Sequence, residues 1–419
     1  MEVLVDRWKW NPHGLVVRLL ICAVCIAIAS RAGATPPVPV GRTIQVVREA
    51  EPLSFGTATT SEGAVVAWVA RDPDGITALK AAWISWNASV AGEVMTLAKE
   101  VGDLSPQLIA RNDGSVWIIY ADGKPTPPGW PHGAFCRACS IQALIISAAG
   151  PVGDAPVTLA VPDGSILYQF QAGARPDGGL LLWWWRQDNG QVSSLNHEST
   201  RAFDSQGIPL AGGSEFLGGG SGKLVAAAEG GALRVAVSEL SEQGIPYMQV
   251  FGALFDNNGA FLRGVELTPP VFYSIEEVDV IPAAAGGYWL TWRKGGEKLR
   301  ARRVAAGGRP SRVLVAGPDP TAAPLAPTPA DGFVVCWATY NSVFIRLHGA
   351  DARPRGGPIL IARGAIGGLS LQPQLQLAVN AAGLGVVAWW GQLARDGSQA
   401  LFLTQFTASS QSTQGRTSK

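Results

Sequence analysis

Charge is scarce in this 419-residue chain: Asp, Glu, Lys and Arg make up 16% of it, against 47% hydrophobic residues. Lys plus Arg number 33 and Asp plus Glu 32, so no basic surplus exists to condense on phosphates, which makes nucleic acid a poor partner. Only four histidines occur, and no H-E-x-x-H helix, G-x-S-x-G elbow or phosphate-binding glycine loop appears in a strand-to-helix context. The Ser-x-Asp-x-Gly-x-Thr-Trp box is missing too. No cofactor is expected on these grounds. Beyond the N-terminus no segment approaches ~18 uninterrupted apolar residues, so no other part is expected to cross a membrane as a helix.

What the chain does have begins at its N-terminus. Arg7, Lys9 and Arg18 precede a short apolar run, residues 19–29, and the small-residue exit Ala32-Gly33-Ala34 follows. A basic start, an apolar stretch too short to span a bilayer and an A-x-A site predict a secretory signal peptide over 1–34, and hence a secreted or periplasmic protein, with a bacterial host favoured. Without those residues, 29 Lys and Arg face 30 Asp and Glu, a nearly neutral chain. With 51 glycines and 29 prolines it reads as a turn-rich globular protein. The expected organisation is a linker over 35–42, one domain over 43–408 and a disordered polar tail over 409–419.

The domain is repetitive. A glycine turn followed by an apolar run ending near an aromatic occurs seven times: EGAVVAW (62–68), DGSVWIIY (113–120), GGLLLWWW (178–185), GGALRVAV (230–237), GGYWLTW (286–292), DGFVVCW (331–337) and LGVVAWW (384–390). Anchored on Gly63, Gly114, Gly179, Gly231, Gly287, Gly332 and Gly385, the spacings are 51, 65, 52, 56, 45 and 53. Periods near ~40–50 residues signal propellers. Each period also holds a strand-like stretch before the turn and two after it, a meander of hairpins. The predicted fold is all-β, a seven-bladed β-propeller of four-stranded antiparallel blades whose strands are A to D from the axis outward. The seventh copy lacks a D strand, and residues 43–47 belong to no copy; pairing them with its C strand closes the ring. The fourth copy alone lacks the aromatic, with Ala236 and Val237 in its place.

Trp183-Trp184-Trp185 tests this reading. Consecutive side chains on a strand point to opposite faces, so the three cannot share one ligand or one solvent. A blade covered on both faces by its neighbours accounts for the run as core. A sugar platform and a lipid-facing barrel strand are weaker alternatives, the latter because such strands alternate apolar with polar.

The wording TRAFDSQGIPLAGGSEF (200–216) and LFDNNGAFL (254–262) resembles a repeat of large secreted bacterial proteins, of the form dG-vvvW followed by a-R-fd-a-G-p-g-ef. The resemblance covers most of 43–408, is specific in the third and fourth copies and loose elsewhere; the sixth reads LHGADARPRG where Phe-Asp should stand. It implies an exported β-propeller-like array and no catalytic residues.

Function is expected on the face carrying the B–C and D–A connections, because those loops vary while the A–B turns repeat. Residues 121–140 carry Trp130, His132, Phe135, Cys136 and Cys139. The Cys-x-x-Cys pair reads as a loop-pinning disulfide, as free thiols, or with His132 as a metal site; the metal reading lacks a fourth ligand, so no metal is expected. Residues 268–279 bring Phe272, Tyr273, Glu276 and Glu277 toward the axis. Ligand binding is expected at Trp130, His132, Phe272, Tyr273 and Glu276, although adjacent Glu276 and Glu277 point to opposite sides and solvated charges are the plainer account. Cys336 and His348 read as packed in strands.

Two functions follow: a monomeric exported scaffold that binds a glycan or an extracellular protein, or a carbohydrate-active hydrolase or lyase with acids at the tunnel mouth. Two carboxylates ~5–10 Å apart in one cleft mark the enzyme.

Overall fold

The computed structural model describes residues 40–49, 51–124, 135–161, 165–187, 196–217, 222–242, 245–272, 275–294, 298–317, 324–339, 342–363, 374–392 and 399–408. All belong to one compact unit, Val38–Ser409, and every regular element among them is a β-strand.

The strands form antiparallel four-stranded meanders. Residues 51–99, 222–266, 275–317 and 325–363 each make one sheet whose order follows the sequence. Residues 107–160 and 166–217 make two more, fused into one eight-stranded sheet because Ile166 and Leu167 pair with Arg137 and Cys136. The last meander, 375–407, has three strands and takes Val40–Glu49 as its fourth, with Thr43 opposite Thr404 and Val47 opposite Leu401. Residues 40–49 and 375–407 thus share one sheet.

The first strands of the meanders stand side by side in a ring. Glu51–Thr59 packs against Gln107–Ala110, that against Ile166–Ala174, and the series runs through Gly222–Ala226, Ile275–Pro282, Leu325–Pro327 and Leu375–Val379 back to Glu51–Thr59. The second strands carry the core. Val65, Ala67 and Val69 of the first meander join Val116, Ile118 and Tyr120 of the next in one cluster. Trp117 and Ile119, on the other face of that same strand, join Leu180, Leu182 and Trp184 of the third. A strand buried on both faces has no polar side to offer, hence the unbroken apolar runs.

The register is uniform. The turn between first and second strand closes on the carbonyl of Gly63, Ser115, Gly179, Gly231, Gly287, Gly332 or Leu384. Five residues further on stand Trp68, Tyr120, Trp184, Ala236, Trp292, Trp337 and Trp389. Two of the sequence anchors are therefore displaced. Gly114 supplies the left-handed residue of its turn, with φ 84°, and the closing residue is Ser115; in the last meander Gly383 does so at φ 80°, and Leu384 closes. Both displacements arise because the glycine that the backbone needs at positive φ is not always followed by a second glycine.

The tryptophan triplet divides as alternation demands. Trp183 is fully buried toward the fourth meander and Trp184, partly buried, faces the second. Trp185 is partly buried and stacks on Tyr168 at 4.8 Å between centroids. The long connection expected over 121–140 is shorter than its sequence: Val116–Lys124 and Cys136–Ser147 take both of its ends as paired strands.

Candidate functional site

The expected ligand-binding residues are only partly placed. Trp130, His132 and Tyr273 lie outside the described residues. Phe272 is 73% exposed, next to Val271, which bridges to Met248. Glu276 lies on Ile275–Pro282 directly opposite Arg293, while its side chain, like that of Glu277, lies outside the description. Cys136 and Cys139 are buried, 5.7 Å apart at Cα and joined through sulfur. Their sulfurs lie on Gly102 and Gly123, where a Cβ would come within 2.6 and 2.5 Å of them. Cys336 is buried without a bridge, and burial pushes its thiol pKa up. His348 is buried as expected, stacked on Phe333 at 4.7 Å with Nδ1 3.1 Å from the Ala352 carbonyl.

One cavity lies on the face chosen from the sequence, where second strands end and first strands begin. It holds about 230 Å³ and is lined by Gln169, Gly222, Lys223, Ile275, Val278 and residues 235–237. It lies beside a departure of the fourth meander from the register. Elsewhere an indole or phenol fills the fifth position after the turn; here Ala236 stands opposite Gly222. In the first and third meanders the same pairing is Phe55 with Trp68 and Phe170 with Trp184. Here the two side chains are a methyl group and a hydrogen, and the Arg234 guanidinium lies against Gly222, where a Cβ would come within 3.1 Å of it. The missing aromatic is legible in the sequence and Gly222 is not, because no periodicity marks the partner strand.

Polar groups stitch the first strands together around this cavity. The Gln169 amide donates to the Gly222 carbonyl at 3.0 Å and accepts from its N–H at 3.3 Å, while Gln171 accepts from Leu224 N–H at 2.5 Å. Lys223 Nζ donates to Asp279 Oδ1 at 2.7 Å, and the other Asp279 oxygen accepts from Leu325 N–H at 3.1 Å. Asp279 thereby ties three successive first strands.

The fourth meander departs at a second position. Arg234 stands where the equivalent residues are Val66, Ile118, Leu182, Leu290, Val335 and Val387. It donates to Glu198 at 2.6 Å and lies 4.9 Å over the ring of Trp183, whose Nε1 donates to Glu198 at 2.9 Å. Burial raises the Glu198 pKa despite the pull of Arg234 and Trp183 in the opposite direction. Burial likewise lowers that of Arg234 against the field of Glu198. The shared cause is the loss of water around both charges, which a single close pair only partly offsets.

A comparable network joins the Val40–Glu49 strand to the first meander. Lys80 Nζ contacts Glu49 at 3.1 Å and Asp72 at 2.9 Å, and Trp68 Nε1 donates to Glu49 at 3.0 Å. On the opposite, hairpin face a larger cavity of about 490 Å³ opens among Glu229, Gly286, Gly287, Arg303, Arg309 and Ser311. There Glu229 accepts from Gly287 N–H at 2.6 Å, and Arg303 is paired with Asp331. Among the described residues no group of three or more His, Cys, Asp and Glu is placed to hold a metal ion, and no helix is long and apolar enough to cross a membrane.

No family profile and no curated sequence matches the chain. Among solved structures, a protein of unknown function from Dyadobacter fermentans is similar with a TM-score of 0.53 at 11% identity, over 89% of this chain and 100% of that one. A Penicillium chrysogenum alpha-L-arabinanase complexed with arabinobiose gives 0.45 at 17% identity, over 72% and 92%. The Dos1 propeller gives 0.43 at 8% identity, over 87% and 94%. The likeness to the Dyadobacter protein is one of fold.

Proposed function

We propose that the chain is an exported, monomeric seven-bladed β-propeller, its last blade completed by residues 40–49, that binds a glycan or an extracellular protein and catalyses no reaction. The binding face is the one carrying the B–C and D–A connections, with Trp130, His132, Phe272, Tyr273 and Glu276 contributing. Cys136 and Cys139 stay oxidised in an oxidising compartment and pin the base of the loop bearing Trp130.

The observation that carries this reading is the state of the acids. Glycoside hydrolysis needs one carboxyl poised as an acid and another ~5–10 Å away, both facing substrate. Among the described residues the acids at the clefts and sheet junctions have other duties. Glu49 and Asp72 share Lys80, Glu198 is locked to Arg234, Asp279 to Lys223, and Asp331 to Arg303.

A glycan array probed with the chain lacking residues 1–34, as wild type and as Trp130→Ala, tests the proposal. Selective retention that Trp130→Ala weakens is the expected result. Release of reducing ends from a retained glycan, abolished by Glu276→Gln, would overturn it in favour of a hydrolase.

A further inference from the structure

We infer that the hairpin turn 305–309 is an anion site that takes the carboxylate of a small monocarboxylate ligand. The site lies on the hairpin face, opposite the binding face proposed above, and goes beyond that reading.

The turns carry it. Among the described residues eleven turns close in the same way: the first residue donates its N–H to the carbonyl of the fifth, and the fourth donates back to the carbonyl of the first. In ten of them a side-chain oxygen also accepts from the N–H of the fifth residue. An aspartate of the same turn supplies that oxygen in six, Asp204 and Asp256 among them; Asn380, Thr328, Glu229 and Asn257 supply the other four. Asp204 and Asp256 accept from the N–H of the third residue as well. The turn 305–309 is the exception. Ala305 stands where Asp204 and Asp256 stand, and the N–H groups of Gly307 and Arg309, which an aspartate there would bridge, meet no acceptor among the described residues. Nothing lies within 4 Å of a Cβ placed on Gly307, so the space beside it is open.

The neighbouring turn shows that the oxygen can come from outside. Turn 283–287 of the same meander also begins with alanine, and there Glu229 and Asp331, from the meanders on either side, accept from the N–H groups of Gly287 and Ala285 at 2.6 and 2.9 Å. Turn 305–309 borders instead the cavity of about 490 Å³, whose lining includes Ala305, Ala306, Arg309, Pro310 and Ser311. Successive N–H groups of a turn form an anion-binding concavity, and their hydrogen bonds to an ionised oxygen are about twice as strong as those to a neutral one. Charge selects the guest. Arg309 is exposed at the site, Arg303 shares the lining, and Arg263 and Arg302 end on the carbonyls of Gly307 and Ser311 rather than on acids. Glu229, in the same lining, opposes a second negative charge, so a carboxylate monoanion is favoured over a phosphate dianion.

Isothermal titration of the chain lacking residues 1–34 with D-glucuronate, D-glucose and inorganic phosphate tests the site. Glucuronate binds one to one, glucose does not bind, and phosphate binds more weakly than glucuronate. Ala305→Asp and Ala305→Asn supply the missing oxygen from within, as Asp204 and Asn380 do in their turns, and each weakens glucuronate binding by about tenfold or more, the worth of hydrogen bonds to a charged group. Asn brings no charge, so its effect separates a filled slot from simple repulsion. Arg309→Gln leaves both N–H groups in place, removes the cation and weakens binding in the same direction, which gives a reading that does not depend on position 305. No saturable binding of glucuronate, glucose or phosphate bound as tightly as glucuronate, or glucuronate binding that Ala305→Asn leaves unchanged overturns the proposal. The glycan-array result expected for the opposite face is independent of these outcomes, so the two readings fail separately.

Discussion

Gly222 and Ala236 face one another across the ladder of the fourth meander, in the register at which Phe55 meets Trp68 and Phe170 meets Trp184. The Arg234 guanidinium lies against Gly222, so a ring added at position 236 is expected to overpack the site. Ala236→Trp should cost about 1–3 kcal/mol, the range of overpacked cores. Urea denaturation reads the loss as a lower midpoint at unchanged slope. A gain above about 0.5 kcal/mol would mean that the space accepts the ring its equivalents carry.

The converse substitution separates equivalent positions by depth. Trp389 is fully buried and stacked on Phe402 at 5.8 Å, whereas Trp184 is only partly buried. Trp389→Ala should cost about 3–5 kcal/mol, the range of large-to-small changes at fully buried aromatics, and Trp184→Ala distinctly less. Equal losses in urea denaturation would contradict the two-sided burial assigned to these strands.

How far the sequence revealed this depends on which physical signal each feature leaves. The aromatic ending of the second strand is legible because burial on both faces forces an apolar run, and the strand–turn pattern is legible because tight turns need Gly, Asp or Asn. Residues 43–47 could be matched to the last meander because that meander visibly lacked a strand. The exact register was not legible at Gly114 and Gly385, where the left-handed residue and the turn-closing residue differ. Nor were Gly222, or the Glu198–Arg234 pair: one is a missing side chain on a neighbouring strand, the other a contact between residues 36 apart in sequence. Trp130, His132 and Tyr273 fall outside the described residues.

Lys80 gives a pH signature. Burial pulls its ammonium down, but hydrogen bonds and charges from Asp72 and Glu49 outweigh that and hold its pKa above the ordinary 10.5. A cation with a raised folded pKa binds its proton more tightly when folded. Its contribution is complete below about 10.5 and is lost as pH rises through the folded value. Thermal melts of wild type and Lys80→Met should therefore differ at pH 8, and the difference should shrink as pH rises beyond 10.5. A difference that stays constant through alkaline pH would remove the ion-pair contribution.

The cysteines make a counting prediction. Without residues 1–34 the chain keeps Cys136, Cys139 and Cys336. Alkylation in denaturant without reductant should label Cys336 alone, and prior reduction should expose all three. Three labels without reductant would show that Cys136 and Cys139 are thiols in the isolated protein.

Residues 40–49 complete the sheet of residues 375–407. Thr43 and Thr404 are opposed in that sheet with their hydroxyl oxygens 2.9 Å apart, although 361 residues separate them in sequence. Antiparallel neighbours lie ~4.5–5.5 Å apart at Cα, within the reach of a disulfide. The most direct measurement is the double variant Thr43→Cys, Thr404→Cys, oxidised in the native state and run without reductant. Quantitative cross-linking of the monomer, with a higher melting temperature than the reduced form, is the predicted result; two thiols that stay free to alkylation in the folded protein would contradict it.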